Sequence, residues 1–331
     1  MIKFWKLMFM YLLMISSIMS ISSLSWFYTW MGLEINMLSF ISLMKTSNNK
    51  YSSESITKYF MTQTMASFIL LFSIIKFTNS SEFNFDMNSI TSILMSMAIF
   101  MKMGAAPLHF WLPEVASGIS WNSNLILLTW QKIAPMVILS YTGMLPQVMI
   151  LFIVTSSIIG SMIGLNQTCM RKILAYSSIN HIGWMLSSLM CSMNTWLLYF
   201  LIYSLINFTI IKSLNLWKIN FISQMNKIKN NPSKMMFMLN FFSLGGLPPF
   251  TGFMPKWMTI NQLSNNNMFI LALIMIIFTL LTLYYYLRIS FSSLLLYSNN
   301  SLMKHNNNNN IMSIFSLSIL PLMIFVSMFT L

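Results

Sequence analysis

Residues 90–114 read ITSILMSMAIFMKMGAAPLHFWLPE, and this stretch decides the fold class. Its apolar part belongs to a run, residues 88–106, of the length that a helix needs to cross the ~30 Å hydrocarbon core of a bilayer. Lys102 lies inside the run, and Gly104 and Pro107 then interrupt helical hydrogen bonding. The stretch therefore predicts a transmembrane helix that is broken at membrane depth beside a charge.

The rest of the chain has the same character. Of its 331 residues 56% are hydrophobic and only 7% are charged, which is far from the balance of a soluble domain. No alternation of apolar and polar residues runs through the apolar segments, so the pattern excludes a β-barrel. We predict an all-α polytopic membrane protein with about 11 transmembrane helices, near residues 4–24, 25–44, 57–77, 88–106, 122–143, 147–165, 172–191, 195–217, 235–261, 267–290 and 311–331.

The distribution of basic residues predicts the orientation. Of the 18 lysines and arginines, thirteen fall in connections on one side of the predicted spans, whereas the other side has only Lys76. Because positive loops stay on the side from which the chain is inserted, we expect an N-terminus on the inner face and a C-terminus outside. This topology accounts for most of the net charge of +13, so the charge does not indicate a nucleic-acid partner.

The chain also shows an internal resemblance. Residues 104–114 (GAAPLHFWLPE) and 245–256 (GGLPPFTGFMPK) both read G-x-x-P, followed by a second proline and a charge. Five predicted spans separate the two breaks, and an odd offset means that the second copy enters from the opposite side. We predict a single transmembrane domain, 1–331, made of two inverted five-helix repeats with broken helices, 1–143 and 147–290, plus a C-terminal helix, 311–331.

Several kinds of chemistry are not indicated. Cys169 and Cys191 are far apart and in no C-x-x-C arrangement, so we interpret them as small buried hydrophobic residues. Three histidines, His109, His181 and His305, are too few to ligate two haems across paired helices. The chain lacks the phosphate-binding and dinucleotide-binding glycine motifs. We therefore expect no redox cofactor and no metal site on this chain.

Charged residues inside the predicted spans are the candidate functional residues. Each costs about 2.5–3.5 kcal/mol to insert, so they should face one another or water. Lys132 and Glu34 lie about ten residues inside their spans, too deep to reach the interface easily. For the others interfacial solvation competes with a role in proton transfer, and for Lys212 it is favoured; these are Lys102, Lys256, Lys212, His109 and Glu114.

Such a row of charges suggests a mechanism. Burial disfavours a protonated lysine, and a nearby carboxylate favours it again. A lysine whose acidic partner approaches or withdraws is therefore a proton switch, and a pair of Glu34 with Lys102 would be one example. Repulsion between Lys102 and Lys132 would pass the change along the membrane. This electrostatic gating of a hydrated proton path needs no bound cofactor.

Five motifs resemble subunit 2 of animal mitochondrial NADH:ubiquinone oxidoreductase, respiratory complex I. This family is one of the antiporter-like subunits, which are related to the membrane subunits of multisubunit sodium/proton antiporters. The resemblance spans about residues 25–260. The motifs are WMGLEINMLSF (30–40), KMGAAPLHFWLPEV (102–115), WQKIAPM (130–136), AYSSINHIGWM (175–185) and GGLPPFTGFMPKW (245–257).

The resemblance implies a function and its residues. The family's key glutamate falls on Glu34, its broken-helix lysine on Lys102, its central lysine on Lys132 and its distal-channel lysine on Lys256. His181 is similar to a family polar residue between the last two, although a satisfied helix-interface histidine is an equal interpretation. The chain would translocate protons in the mitochondrial inner membrane, with NADH, FMN, iron–sulfur clusters and ubiquinone bound by other subunits. Its partners would be other membrane-arm subunits and lipid such as cardiolipin.

Two other functions stay open. A free secondary cation/proton antiporter would share the broken helices and lysines, and would transport without NADH or any partner. A purely structural membrane subunit would tolerate the loss of Lys132.

Overall fold

The computed structural model describes residues 4–45, 50–79, 85–143, 145–227 and 231–295. The chain divides into two compact units, Met1–Ser156 and Ser157–Leu331. The predicted C-terminal helix, 311–331, and His305 lie outside the described residues. The chain is mostly helical, and in its described part an isolated bridge between Cys169 and Phe221 is the one β-type pairing.

The first unit contains seven α-helices and the beginning of an eighth. A 3₁₀ turn, Trp130–Lys132, separates α6 from α7 inside the span that was predicted as one helix, 122–143. The helices are α1 (Phe4–Ser22), α2 (Trp26–Met44), α3 (Lys50–Asn79), α4 (Phe85–Met103), α5 (Trp111–Gly118), α6 (Trp121–Leu128), α7 (Ile133–Tyr141) and α8 (Pro146–Leu165).

The second unit contains the remainder of α8 and five further α-helices. Its predicted span 235–261 is two helices, α11 and α12. The helices are α9 (Met170–Cys191), α10 (Met193–Trp217), α11 (Asn231–Gly245), α12 (Phe253–Asn265) and α13 (Phe269–Leu295), with a 3₁₀ segment at Ile222–Lys227.

Both predicted helix breaks are confirmed. After α4, Gly104 has a φ of +74°, and the N–H groups of Gly104 and Ala105 donate to Phe100 O, each at 3.0 Å. After α11, Gly246 has a φ of +79°, and it donates to Phe242 O at 3.0 Å. A glycine in this conformation ends a helix because it satisfies the last carbonyls without a Cβ penalty.

The count of about eleven spans is not confirmed. Among the described helices, five are long and apolar enough to cross a membrane: Phe4–Ser22, Lys50–Thr78, Pro146–Leu165, Met193–Trp217 and Phe269–Phe291. The two breaks and the 3₁₀ turn explain part of the difference. The turn and the second break each divide a predicted span into short helices, and the first break ends α4 at Met103 rather than at residue 106. The short helix α5 was not predicted.

Small residues and aromatic rings pack the first unit. A Cβ on Gly32 of α2 would lie 2.8 Å from Ser20 Cβ, so α1 and α2 are packed closely there. Phe40 meets Tyr59, with ring centroids 5.3 Å apart, and Tyr59 meets Trp111 at 5.7 Å. This row of rings joins α2, α3 and α5, and it places the Tyr59 side chain next to the end of α4.

Candidate functional site

Two lysines are buried in the first unit. Lys102 lies in the last turn of α4 with 7% of its surface exposed, and Lys132 ends the 3₁₀ turn with 1% exposed. Within the chain neither lysine extends to the surface, so interfacial solvation does not describe Lys102. Burial of a long cationic side chain is costly unless polar groups or water solvate it.

A small cavity lies against both lysines. Its volume is about 10 Å³, and Lys102, Lys132, Tyr59 and Gln131 contribute to its lining. A volume of this size holds about one water molecule. The structure therefore brings together two of the predicted site residues, which the sequence separates by 29 intervening positions.

A second cavity of about 10 Å³ adjoins Lys102 on the side of α2. Its polar lining consists of Asn36, Gln63, Gln131, Tyr59 and Lys102. Gln131 Nε2 donates a hydrogen bond to Asn36 Oδ1 at 2.8 Å. Lys102, Tyr59 and Gln131 are thus shared by both cavities.

Glu34 lies half-buried on α2. It is close enough to Lys102 and to Tyr59 for an electrostatic interaction. In this conformation Glu34 and Lys102 are not in direct contact, because no distance of 4.0 Å or less joins the carboxylate to the ammonium group, and their pairing stays a prediction. The side chains on neighbouring helices determine this distance, and the sequence does not reveal it.

Side-chain donors satisfy the carbonyls at the end of α4. Gln63 Nε2 donates to Lys102 O at 3.3 Å, and Trp111 Nε1 donates to Met101 O at 3.1 Å. The last carbonyls of a helix have no partner inside the helix, and leaving them unsatisfied in an apolar interior is costly. These two bonds fix the backbone that carries Lys102.

Glu114 and His109 lie beyond the first break and have different environments. Glu114 is exposed and forms an ion pair with Lys58, whose Nζ lies 2.8 Å from its carboxylate. The same Nζ lies 2.7 Å from the carboxylate of Glu54. His109 is buried, and its Nδ1 lies 3.2 Å from Pro107 O. Of the two interpretations, exposure favours solvation at the surface for Glu114.

In the second unit, Lys256 is buried and caps a helix end. It has 6% of its surface exposed, and its Nζ donates to Gly245 O at 2.8 Å and to Leu244 O at 3.4 Å. The same atom lies 5.9 Å from the centroid of the Trp184 ring. A cation is favoured at the carboxyl end of a helix, so the break after α11 solvates this lysine.

Two further candidate residues, His181 and Lys212, lie in the second unit. His181 Nδ1 is 2.8 Å from Tyr199 Oη in a buried contact, which fits the interpretation as a helix-interface histidine. Lys212 is half-buried, with its Nζ 5.5 Å from the centroid of the Phe208 ring. A role of His181 in proton translocation stays a prediction.

Four residues that line the cavities were not predicted: Tyr59, Gln63, Gln131 and Asn36. A signal was present, because each is polar inside an apolar span; Gln131 directly precedes Lys132, and Asn36 follows Glu34 by two positions. The two cysteines were predicted to be buried, but Cys169 and Cys191 are half-buried free thiols. In the part of the chain that the structure describes, no group of three or more histidine, cysteine or acidic residues is placed to hold a metal ion.

Residues 23–282 match the family of NADH:quinone oxidoreductase/Mrp antiporter transmembrane subunits. The chain is 47% identical over 266 residues to NADH-ubiquinone oxidoreductase chain 2 of Locusta migratoria, covering 80% of this chain and 78% of that protein. It is 48% identical over 263 residues to the chain 2 of Anopheles gambiae, covering 78% and 77% of the two chains.

Solved structures show the same fold. The chain matches one in respiratory complex I from Thermus thermophilus with a TM-score of 0.86 at 20% identity, covering 96% of this chain and 76% of that one. A chain of the Mrp complex from a Dietzia species matches with a TM-score of 0.75 at 17% identity, over 84% of this chain and 58% of that one. The antiporter-like fold and the apolar helices make this a multi-pass membrane protein. Since it is 47% and 48% identical to two chain 2 proteins over most of its length, the chain belongs to the NADH-ubiquinone oxidoreductase chain 2 family of antiporter-like membrane subunits.

Proposed function

We propose that this chain is a core membrane-arm subunit of respiratory complex I, and that it moves protons across the mitochondrial inner membrane. Electron transfer from NADH to ubiquinone would drive the movement, with the redox groups bound by other subunits. The relatives that carry the name NADH-ubiquinone oxidoreductase support this assignment. In this assembly the chain acts as part of a proton-translocating enzyme and performs no redox chemistry itself.

The observation that carries the proposal is the cavity shared by Lys102 and Lys132. Two ammonium groups beside one water-sized space repel strongly where the surroundings are apolar, so a single proton on the pair is favoured over two. One lysine then holds a proton while the other presents an amine that accepts it. Glu34 acts on this balance from α2, because its negative charge favours the protonated form of Lys102 when the two approach.

Lys256 is proposed as the distal proton site, and the second unit as the counterpart of the first. The equivalent helix ends support this arrangement, since Gly104 and Gly246 lie 142 residues apart and close the same hydrogen-bond pattern. We propose that residues 1–143 and 147–290 are inverted repeats within a single transmembrane domain of about eleven helices, including the C-terminal helix 311–331. The N-terminus would face the matrix and the C-terminus the intermembrane space.

The proposed partners are neighbouring membrane-arm subunits, with lipid such as cardiolipin along the apolar surface. Large apolar side chains are exposed on α1, α3 and α13, which suits contact with lipid or with another membrane subunit. His181 and His109 are weaker candidates for proton transfer, and Glu114 belongs to the surface ion pairs.

The test is the number of protons pumped per NADH oxidised in sealed vesicles of the assembled complex that carries Lys132→Met. We expect pumping and quinone reduction to fall together, because the shared cavity loses one of its two proton carriers. Lys212→Met is the matched control, since Lys212 lines neither cavity beside Lys102 and is half-buried. If Lys132→Met equals this control at full assembly, the chain is a structural subunit.

A second candidate function is a free cation/proton antiporter. The likeness of the fold to the Mrp chain favours it. The purified chain in vesicles, without NADH or any partner, would then exchange sodium or potassium for protons. Transport under these conditions would replace the proposal above, and its absence alongside pumping by the complex would support it.

A further inference from the structure

We propose that Gln131 is a positioning residue that regulates the water connection between Lys102 and Lys132, and that its hydrogen bond to Asn36 is the closed position. This inference rests on the proposed function. It concerns a residue that carries no charge and that the proton path as described above does not include.

Gln131 lies where two helices are interrupted. It is the middle residue of the 3₁₀ turn Trp130–Lys132, which interrupts α6 and α7. Such a turn inside a helix often marks a hinge, because its hydrogen bonds are less regular than those of the helix on either side. Lys132 lies on the same turn, so a rotation of this turn moves both side chains together.

Side-chain hydrogen bonds hold the turn Trp130–Lys132 in place. Trp130 Nε1 donates to Ser17 Oγ on α1 at 3.2 Å, and Gln131 Nε2 donates to Asn36 Oδ1 on α2 at 2.8 Å. Two side-chain hydrogen bonds therefore attach this turn to neighbouring helices. Of the two bonded residues of the turn, Gln131 is the one that also borders water-sized space, because it lines both cavities.

A water in either cavity depends on the polar groups around it. A buried water needs two to four polar partners, and a carboxamide supplies both a donor and an acceptor. While Gln131 Nε2 binds Asn36, its amide is directed to α2. When that bond opens, the amide is free to hold a water between the two lysines. One lysine Nζ then gives a proton to the water as the water gives another to the second Nζ, so the proton count is unchanged.

We call the hydrogen bond between Gln131 and Asn36 the latch. Substitution of its two partners should have opposite consequences. Gln131→Met removes the amide but keeps the length of the side chain. The bridging water then loses a hydrogen-bond partner, and the two lysines are no longer connected. Asn36→Leu leaves the amide in place but removes its closed position, so the connection stays open. A purely structural hydrogen bond would give the same result from either side.

The experiment uses sealed vesicles of the assembled complex. For Gln131→Met we expect quinone reduction and pumping to fall together by about a hundredfold, the lower end of the range for a positioned group in proton transfer. The rate should also become more sensitive to exchange of water for deuterium oxide. For Asn36→Leu we expect near-normal NADH oxidation, fewer protons retained per NADH, and faster decay of an imposed pH gradient. The double variant should behave like Gln131→Met.

Gln262→Leu is the matched control. Gln262 also exchanges side-chain hydrogen bonds, with Ser192 and Thr195, but it lines neither cavity beside Lys102. The latch is refuted if Gln131→Met and Asn36→Leu both match this control, or if both lower NADH oxidation to the same extent and leave the protons retained per NADH unchanged. If Gln131→Met fails to assemble, Gln131→Asn keeps an amide that is too short to span the same distance, and it should give the same decline in a milder form.

Lys132→Met in the same vesicles separates the two proposals. If Lys132→Met abolishes pumping while Gln131→Met matches the control, the proton path stands and the latch is wrong. If Lys132→Met also leaves pumping unchanged, the proposed function itself fails.

Discussion

Gly246→Ala should disturb Lys256 without touching its charge. Gly246 has a φ of +79°, a conformation that costs an alanine about 1–2 kcal/mol. A Cβ at this position would lie 2.8 Å from Lys256 Cδ and 3.0 Å from its Nζ. Ordinary contacts between carbon atoms begin at about 3.5 Å, so the lysine side chain has to move by roughly 0.7 Å or more.

That movement opposes the hydrogen bond of 2.8 Å between Lys256 Nζ and Gly245 O. A hydrogen bond to a charged group contributes about 1.5–3 kcal/mol, so the combined loss of unfolding free energy is about 2.5–5 kcal/mol. Unfolding of the chain by SDS in mixed micelles measures this loss. Pumping by vesicles of the assembled complex measures its consequence, and we expect fewer protons per NADH because the ammonium group leaves the end of α11.

Gly143→Ala is the matched control. Gly143 also has a positive φ, +55°, but among the described residues, its chain neighbours aside, no atom lies within 4 Å of the Cβ that alanine would add. It should lose only the backbone part, about 1–2 kcal/mol, and leave pumping unchanged. Equal losses of stability in the two variants, with equal pumping, would refute the argument that the break solvates Lys256.

Two further predictions concern the connections after the broken helices. A Cβ on Gly252 would overlap the carbonyl oxygen of Ser243, so Gly252→Ala should prevent assembly of the complex; Gly245→Ala, whose nearest contact is 3.5 Å, should assemble normally in native gel electrophoresis. Thr155 Oγ1 donates to Ala106 O at 2.7 Å, so Thr155→Val should lower the unfolding free energy in mixed micelles by about 1 kcal/mol and leave the protons pumped per NADH unchanged; a larger change in pumping would mean that this connection moves during turnover.

The sequence predicted where along the chain the helix breaks and the buried lysines of the site lie. Gly104 and Gly246 both end helices where the glycine and proline pattern predicted a break, because backbone chemistry is local. Lys132 was predicted as deeply buried from its distance to the ends of its span, and its side chain is 1% exposed. Lys102 and Lys256 had two open interpretations, because the sequence does not show which surface of a helix faces the protein.

By itself, then, the sequence determined a helical membrane protein, two of the places where its helices break, and the charges that lie at depth. Only the tertiary structure decided that Lys102 and Lys132 line one cavity, that Gln131 binds Asn36, and that Glu34 makes no direct pair with Lys102. The physical reason is that a transmembrane helix is apolar on all sides, so no polar stripe marks its buried face. Its rotation follows from packing against neighbouring helices, and that rotation determines which polar side chains meet.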